Sequence, residues 1–346
     1  MNSNQGSRKE IYYISVLSVI SAVAVIFNHS SLARFYAALP LNYWFITNFI
    51  MSITMFAVPV FYMISGATLI NYNERYDTKT YFLKRIKRVV IPYIFWVIVY
   101  TLFSIYFLKI PLNDNIIIFI YKNCIYGSLY WFFIPLFAIY IIIPLLSHVM
   151  KEKQIQLFKF YSIVIFAYAL YSSLIIIFGI DMPLYNEFMF TSIFFIYPLL
   201  GYILNETDLS KKYRFIFYGL GIIGFLCIFI PNQIFHDTAG QATNLYTSYM
   251  YPTTILFSIA VWILIKQLFT VNFTGKALEK TVNFIKPHIF GLYLIHFYII
   301  ELLTNCLNLT NTQFLFSIGM PFIVIPLAIT ILHVMKRIPI VKNVIP

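Results

Sequence analysis

The residues of this sequence that could do chemistry are few, and most are histidines in apolar surroundings. His29 follows a run of 15 residues without a charged side chain, Tyr13 to Phe27, and is flanked by Asn28, Ser30 and Ser31. An imidazole changes charge near neutral pH, so a histidine so placed could take the proton of a hydroxyl, which is general-base work. The plainer alternative is an interfacial histidine with a solvated tip. His296 and Glu301 lie inside another apolar run, and ionisable groups at membrane depth are costly and hence functional candidates. Five positions apart on a helix, they project roughly 140° from one another. They are therefore not expected to pair, and His296 is expected to bond to a neighbouring helix. His148, His288 and His333 sit near the ends of apolar runs and His236 in a loop; these four read as interfacial.

The strongest local feature is basic. Lys84-Arg85-Ile86-Lys87-Arg88 precedes Pro92, and six positive charges fall between Arg75 and Arg88. On a regular helix Arg85 and Arg88 lie one turn apart and face the same way. With Lys84 they could bind a phosphorylated ligand such as a nucleotide-type acyl carrier. A stop-transfer signal or an anchor for anionic lipid is the competing reading. His29 is the candidate base for a hydroxyl, and Ser18, Asn28 and Tyr130 are weaker candidates to donate a hydrogen bond to a developing negative charge. Cys124, Cys227 and Cys306 are too few and too scattered for a disulfide framework or a zinc site, so no metal is expected.

These side chains must be held by membrane helices. Of the 346 residues 61% are hydrophobic, 20% aromatic and only 10% charged, with a mean hydropathy of +0.82, where soluble domains carry about 25% charged residues. Apolar runs at 11–29, 45–70, 89–108, 129–147, 157–179, 188–204, 214–230, 251–269, 288–304 and 314–335 are each read as a span. The expectation is an all-α polytopic bundle of about ten transmembrane helices, a single domain over 1–346 with short tails at 1–10 and 336–346. The stretch Ile116 to Tyr126 is too short to cross and reads as interfacial or re-entrant. Of the 24 Lys and Arg residues, all but Arg34, Lys109 and Lys122 fall at the N-terminus, at the C-terminus or in every second connection. That bias puts both termini in the cytoplasm, accounts for the formal charge of +12, and leaves no reason to invoke nucleic acid.

At these residues the chain resembles the membrane-bound acyltransferase 3 family, whose members transfer acyl groups, often acetyl, to cell-surface polysaccharides and related glycans. Four stretches carry the resemblance, in order along nearly the whole chain. The first span, YISVLSVISAVAVIFNH from Tyr13 to His29, is similar to the opening helix that ends in the family's functional histidine. Phe61-Tyr62-Met63-Ile64-Ser65-Gly66 resembles its Ser-Gly turn, and Tyr81 to Arg88 with Pro92 its basic stretch before a proline. Leu129-Tyr130-Trp131-Phe132-Phe133 and Gly291-Leu292-Tyr293-Leu294-Ile295-His296 complete the set. Trp131 and His296 thereby join the supporting candidates. The family usually has an arginine eleven residues before the histidine and often an acid three before that; here Ser18 and Ser15 stand there. Arg85 and Arg88 could cover part of the missing role, or the chain could be a diverged member with altered activity.

The resemblance implies an O-acyltransferase of the inner or plasma membrane, an O-acetylation enzyme of polysaccharide modification. It would move an acyl group, acetyl by expectation, from cytoplasmic acyl-CoA to a hydroxyl of a surface glycan or its lipid-linked precursor. Acyl-CoA is then a substrate and no cofactor is held; the other partners are membrane lipid and the glycan acceptor. The rival is a transporter or flippase of a glycan or acylated intermediate, with the membrane histidines and Glu301 on its substrate path. No pair of proline- or glycine-broken spans in corresponding halves, the usual mark of an inverted-repeat transporter, is legible.

Overall fold

Where no water reaches the backbone, each segment must close its own hydrogen bonds, and for an apolar chain without strand periodicity that means helices. The computed structural model describes residues 3–35, 41–113, 115–179, 193–239, 246–270, 275–307, 314–339 and 341–345. The fold is 86% helical, with no strand among the described residues. In chain order the helices are α1 Ser3–Phe35, α2 Leu41–Ile53, α3 Ala57–Leu69, α4 Thr78–Arg85, α5 Ile91–Tyr106, α6 Ile116–Phe119, α7 Phe133–Ser147 and α8 Lys151–Ile177. They continue with α9 Ile196–Glu206, α10 Lys211–Ala239, α11 Pro252–Thr270, α12 Lys276–Ile285, α13 Ile289–Cys306 and α14 Phe314–Met335.

Among the described residues nine stretches are long and apolar enough to cross a membrane. The sixth expected run, 188–204, is seen as a helix over Ile193–Glu206; its first residues lie outside the described ones. Ile116–Tyr126 is a short helix, as its length suggested. The chain forms two compact units, one from Met1–Thr68 with Met150–Ile329 and one from Leu69–Val149 with Thr330–Pro346.

In the first unit α1 is the central element. Its buried Tyr13 meets Trp262 of α11 edge to face at 5.9 Å and donates its hydroxyl proton to Asn205 Oδ1. At the same end, Lys266 Nζ donates to the carbonyls of Leu204, Asn205 and Thr207 at 2.9, 3.2 and 3.1 Å and pairs with Asp208 at 2.9 Å. A cation is thus placed where the last carbonyls of α9 have no helical partner. The second span breaks at 54–56, between α2 and α3. Pro59 explains the break: it has no N–H to offer the carbonyl of Met55, and its ring crowds that carbonyl.

Ser65 and Gly66, expected in a turn, lie inside α3. What Gly66 provides is proximity. A Cβ there would stand 1.9 Å from the carbonyl oxygen of Pro198, and one on Gly201 would stand 1.9 Å from that of Met63. Two glycines, one on each helix, let α3 and α9 touch backbone to backbone, the packing that membrane helices use in place of a hydrophobic drive.

In the second unit α4 runs into α5 through a π turn, Ile86–Val90, where the Ile91 N–H bonds back to Ile86 O. Pro92 follows directly. The wider turn absorbs the missing donor and the ring that would otherwise kink the helix. Trp96 Nε1 donates to Val344 O at 3.0 Å and holds the C-terminal turn Val341–Asn343 against α5.

The α3–α9 contact yields a test. Gly66→Ala and Gly201→Ala should each lower the thermal stability of the detergent-solubilised protein by about 1–3 kcal/mol, because backbone must move. Gly219→Ala, where nothing lies within 4 Å, should leave the melting temperature unchanged or raise it.

Candidate functional site

His29 is the residue on which the sequence places most weight, and the fold brings it to a second imidazole. Near the C-terminal end of α1, it meets His296 of α13 with ring centres 5.0 Å apart and planes at 84°, and Phe297 at 6.4 Å. His296 is fully buried, whereas His29 is partly open. His296 Nδ1 bonds within its own helix, to Leu292 O at 2.9 Å, rather than to a neighbour as the sequence suggested; the i−4 carbonyl lies within easy reach of a histidine on a helix. Two ring nitrogens, Nδ1 of His29 and Nε2 of His296, are buried with no hydrogen-bond partner, as are the hydroxyls of Ser30 and Ser31. Buried polar atoms are nearly always paired, so two imidazoles in contact, each with an open ring nitrogen, make this pair the strongest candidate site.

Asn28 supports the same end of α1. Its Nδ2 donates to Thr54 Oγ1 at 3.0 Å, and that hydroxyl lies 2.8 Å from Ile50 O and 3.1 Å from Met51 O. The break in the second span is therefore tied, through Thr54, to the residue beside His29. Asn28 spends its amide on the scaffold. Ser18 donates its hydroxyl to Ile14 O at 2.8 Å. Eleven residues before His29, it lies on the same helix face but about 16 Å along the axis, so it is not beside the imidazole.

The basic residues form a different arrangement, in the second unit. Lys84 Nζ stands 3.6 Å above the ring of Tyr76, which also has the Arg75 guanidinium at 5.7 Å. Arg85 lies 5.8 Å from the ring of Tyr81 and 5.6 Å from that of Tyr140. The rings are fixed in turn: Tyr81 donates to Tyr140 O at 3.1 Å and packs 4.3 Å from Tyr72, whose hydroxyl shares a 2.7 Å hydrogen bond with Thr78. A ring face attracts a cation without consuming its N–H donors, so the tyrosines orient Lys84 and Arg85 and leave their N–H donors uncommitted to the rings. Arg88 is exposed. The shared face expected for Arg85 and Arg88 presumes regular α spacing, which the π turn beginning at Ile86 removes.

Tyr130 and Trp131 also belong to the second unit, in a 3₁₀ turn, Leu129–Phe132, capped by Ser128. Tyr130 is buried against Tyr93 at 6.2 Å and Tyr100 at 5.6 Å; Trp131 is partly exposed. The residues that sequence reasoning missed are Thr54, Phe297 and the tyrosines 72, 76, 81 and 140. Pro59, five residues after Thr54, was the one local signal for the break. Nothing along the chain joins Tyr140 to Arg85.

Nine candidate spans among the described residues define a multi-pass membrane protein, with two imidazoles in contact near the C-terminal end of its first helix. The acyltransferase 3 family model, described as an acyltransferase domain, matches residues 11–333, and the chain belongs to that family. Comparisons with curated proteins and with solved structures gave no match.

One residue sets the start of the helix that carries Lys84 and Arg85. Asp77 caps α4, accepting from the Thr80 N–H at 3.2 Å, and hydrogen bonds from Thr80 hold its carboxyl below the usual carboxylate range. Because the folded value is depressed, the cap contributes above the ordinary aspartate range and is lost as pH falls through the folded value. Asp77→Ala should speed hydrogen exchange over residues 78–84 and abolish its acid-induced increase, while Asp77→Asn should retain the slow exchange at neutral pH.

Proposed function

We propose that the protein is an O-acyltransferase of the cytoplasmic membrane that takes an acyl group, with acetyl the expected one, from acyl-CoA and delivers it to a hydroxyl of a surface glycan or its lipid-linked precursor. The observation that carries this reading is the meeting of His29 with His296 near the end of α1, each with a buried ring nitrogen that has no partner, in a chain of the acyltransferase 3 family. His29 takes the proton of the acceptor hydroxyl as its oxygen attacks the thioester carbonyl. A C–O bond forms, the C–S bond breaks, and the proton leaves with the CoA thiol. Hydroxyls of Ser30 and Ser31, which have no partner of their own, can donate to the acceptor or to the developing oxyanion.

The donor is anionic, and the basic segment before the third span suits it. Arg85 and Lys84, held on tyrosine faces, and the exposed Arg88 would bind its phosphates from the cytoplasmic side, a sidedness supported by the bias of Lys and Arg along the chain. A second reading, a transporter of the glycan or of an acylated intermediate, has one observation in its favour: the second span is broken at 54–56 beside Asn28, as substrate-binding helices of transporters often are.

The two readings separate in cells. His29→Ala should abolish surface acylation, a loss of about 10²–10⁴-fold in rate, with expression and membrane insertion intact, as measured by NMR of acyl groups on purified glycans from deletion, wild-type and mutant cells. Unchanged acyl content with reduced glycan export would overturn the enzyme in favour of the transporter.

A further inference from the structure

The position of the proton on His296 can be read from its partner. A carbonyl oxygen only accepts, so the His296 Nδ1 that meets Leu292 O at 2.9 Å carries a hydrogen and donates it. In a neutral ring the other nitrogen, Nε2, is then a bare lone pair. That nitrogen is buried and has no donor, and the ring next to it, His29, has a buried Nδ1 with no acceptor. The two vacancies are complementary. A hydrogen bond of about 2.9 Å between ring nitrogens puts two imidazole centres about 5 Å apart, because each nitrogen lies about 1 Å from its ring centre. The observed separation is 5.0 Å, and the histidine χ2 torsion is soft enough to bring the nitrogens into line.

We propose that His296 is the positioning residue for His29. Its Nε2 accepts the Nδ1–H of His29, which fixes His29 in the tautomer whose Nε2, on the partly open side of the ring, is the free base. The relay runs from the Leu292 carbonyl through His296 and His29 to the acceptor hydroxyl, with both rings neutral at rest. Neutrality matters because an unpaired charge at this depth is costly. When His29 takes the acceptor proton, the positive charge that develops is stabilised by the hydrogen bond to His296, the role a carboxylate plays toward the histidine of a serine-protease triad. This role presupposes the acyl-transfer reading above, but the tautomer it requires does not.

The test is therefore made first without turnover. The full-length protein labelled with ¹⁵N-histidine, in nanodiscs, should show His29, assigned by the signal lost in His29→Gln, as the Nδ1–H tautomer. In His296→Leu that signal should move toward the Nε2–H form, and His296→Gln, whose amide oxygen can accept in place of Nε2, should hold it. In an acyl-transfer assay His296→Leu should lose about 10–100-fold in kcat with little change in KM, and His296→Gln should recover most of it. An Nε2–H tautomer at His29 in the wild type overturns the proposal even if His296→Leu fails to fold, and so does full activity of a folded His296→Leu. The expected tautomer in a protein that transfers no acyl group would leave the pairing standing and sink the function assigned to it.

Discussion

Inside a bilayer the backbone has no water to fall back on, and that constraint governs this chain at each point where a helix cannot continue. Pro59 opens the second span at 54–56, and Thr54 turns its hydroxyl to the carbonyls of Ile50 and Met51. Pro92 is met by a π turn that widens the helix before the proline. The end of α9 is capped by Lys266, whose ammonium touches three carbonyls. Each irregularity recruits a polar side chain or a changed helical pitch, and two of the three stand beside the residues assigned to function. Thr54 is bonded to the neighbour of His29, and the π turn begins directly after Arg85.

The polar groups of the first unit follow a consistent economy. Many of the described hydroxyls return a bond to their own helix, as Ser18 does to Ile14, Thr68 to Ile64 and Ser258 to Thr254. Such bonds keep a polar group satisfied without committing it to anything outside the helix. Ser21, Ser30 and Ser31 of α1 make no such bond, and are fully buried with open hydroxyls. A helix that could have satisfied them internally has not done so.

Much of this was legible in the chain. Hydropathy located the spans because apolar length is what a bilayer demands, and His29 was conspicuous because nothing charged precedes it for half a helix. The pairing of His29 with His296 was not legible, since 267 positions separate them and no periodicity records which helix packs on which. The aromatic setting of Lys84 and Arg85 was hidden for the same reason, Tyr140 being supplied by α7 from a distant run. Gly66 was read as a turn residue, and its actual use, a close approach to Pro198, depends on a partner helix that local sequence does not reveal. The expected common face of Arg85 and Arg88 rested on regular geometry, and Pro92, visible in the sequence, was the reason to doubt that regularity.

The departure from the family pattern in the first helix can be understood through the same electrostatics. An arginine in place of Ser18 would set a charge on the face of α1 that carries His29, about 16 Å away along the axis, in surroundings where a lone cation is expensive. With serines at 15 and 18, the described part of α1 from Tyr12 to Ser31 holds no permanent charge. Under the proposed reading, His29 as a base in such a helix works best through neutral partners, and a histidine bonded to a backbone carbonyl is one. On this view the loss of the arginine and the burial of His296 beside His29 belong together. In the second unit the cations Lys84 and Arg85 lie on tyrosine faces that hold them without neutralising them.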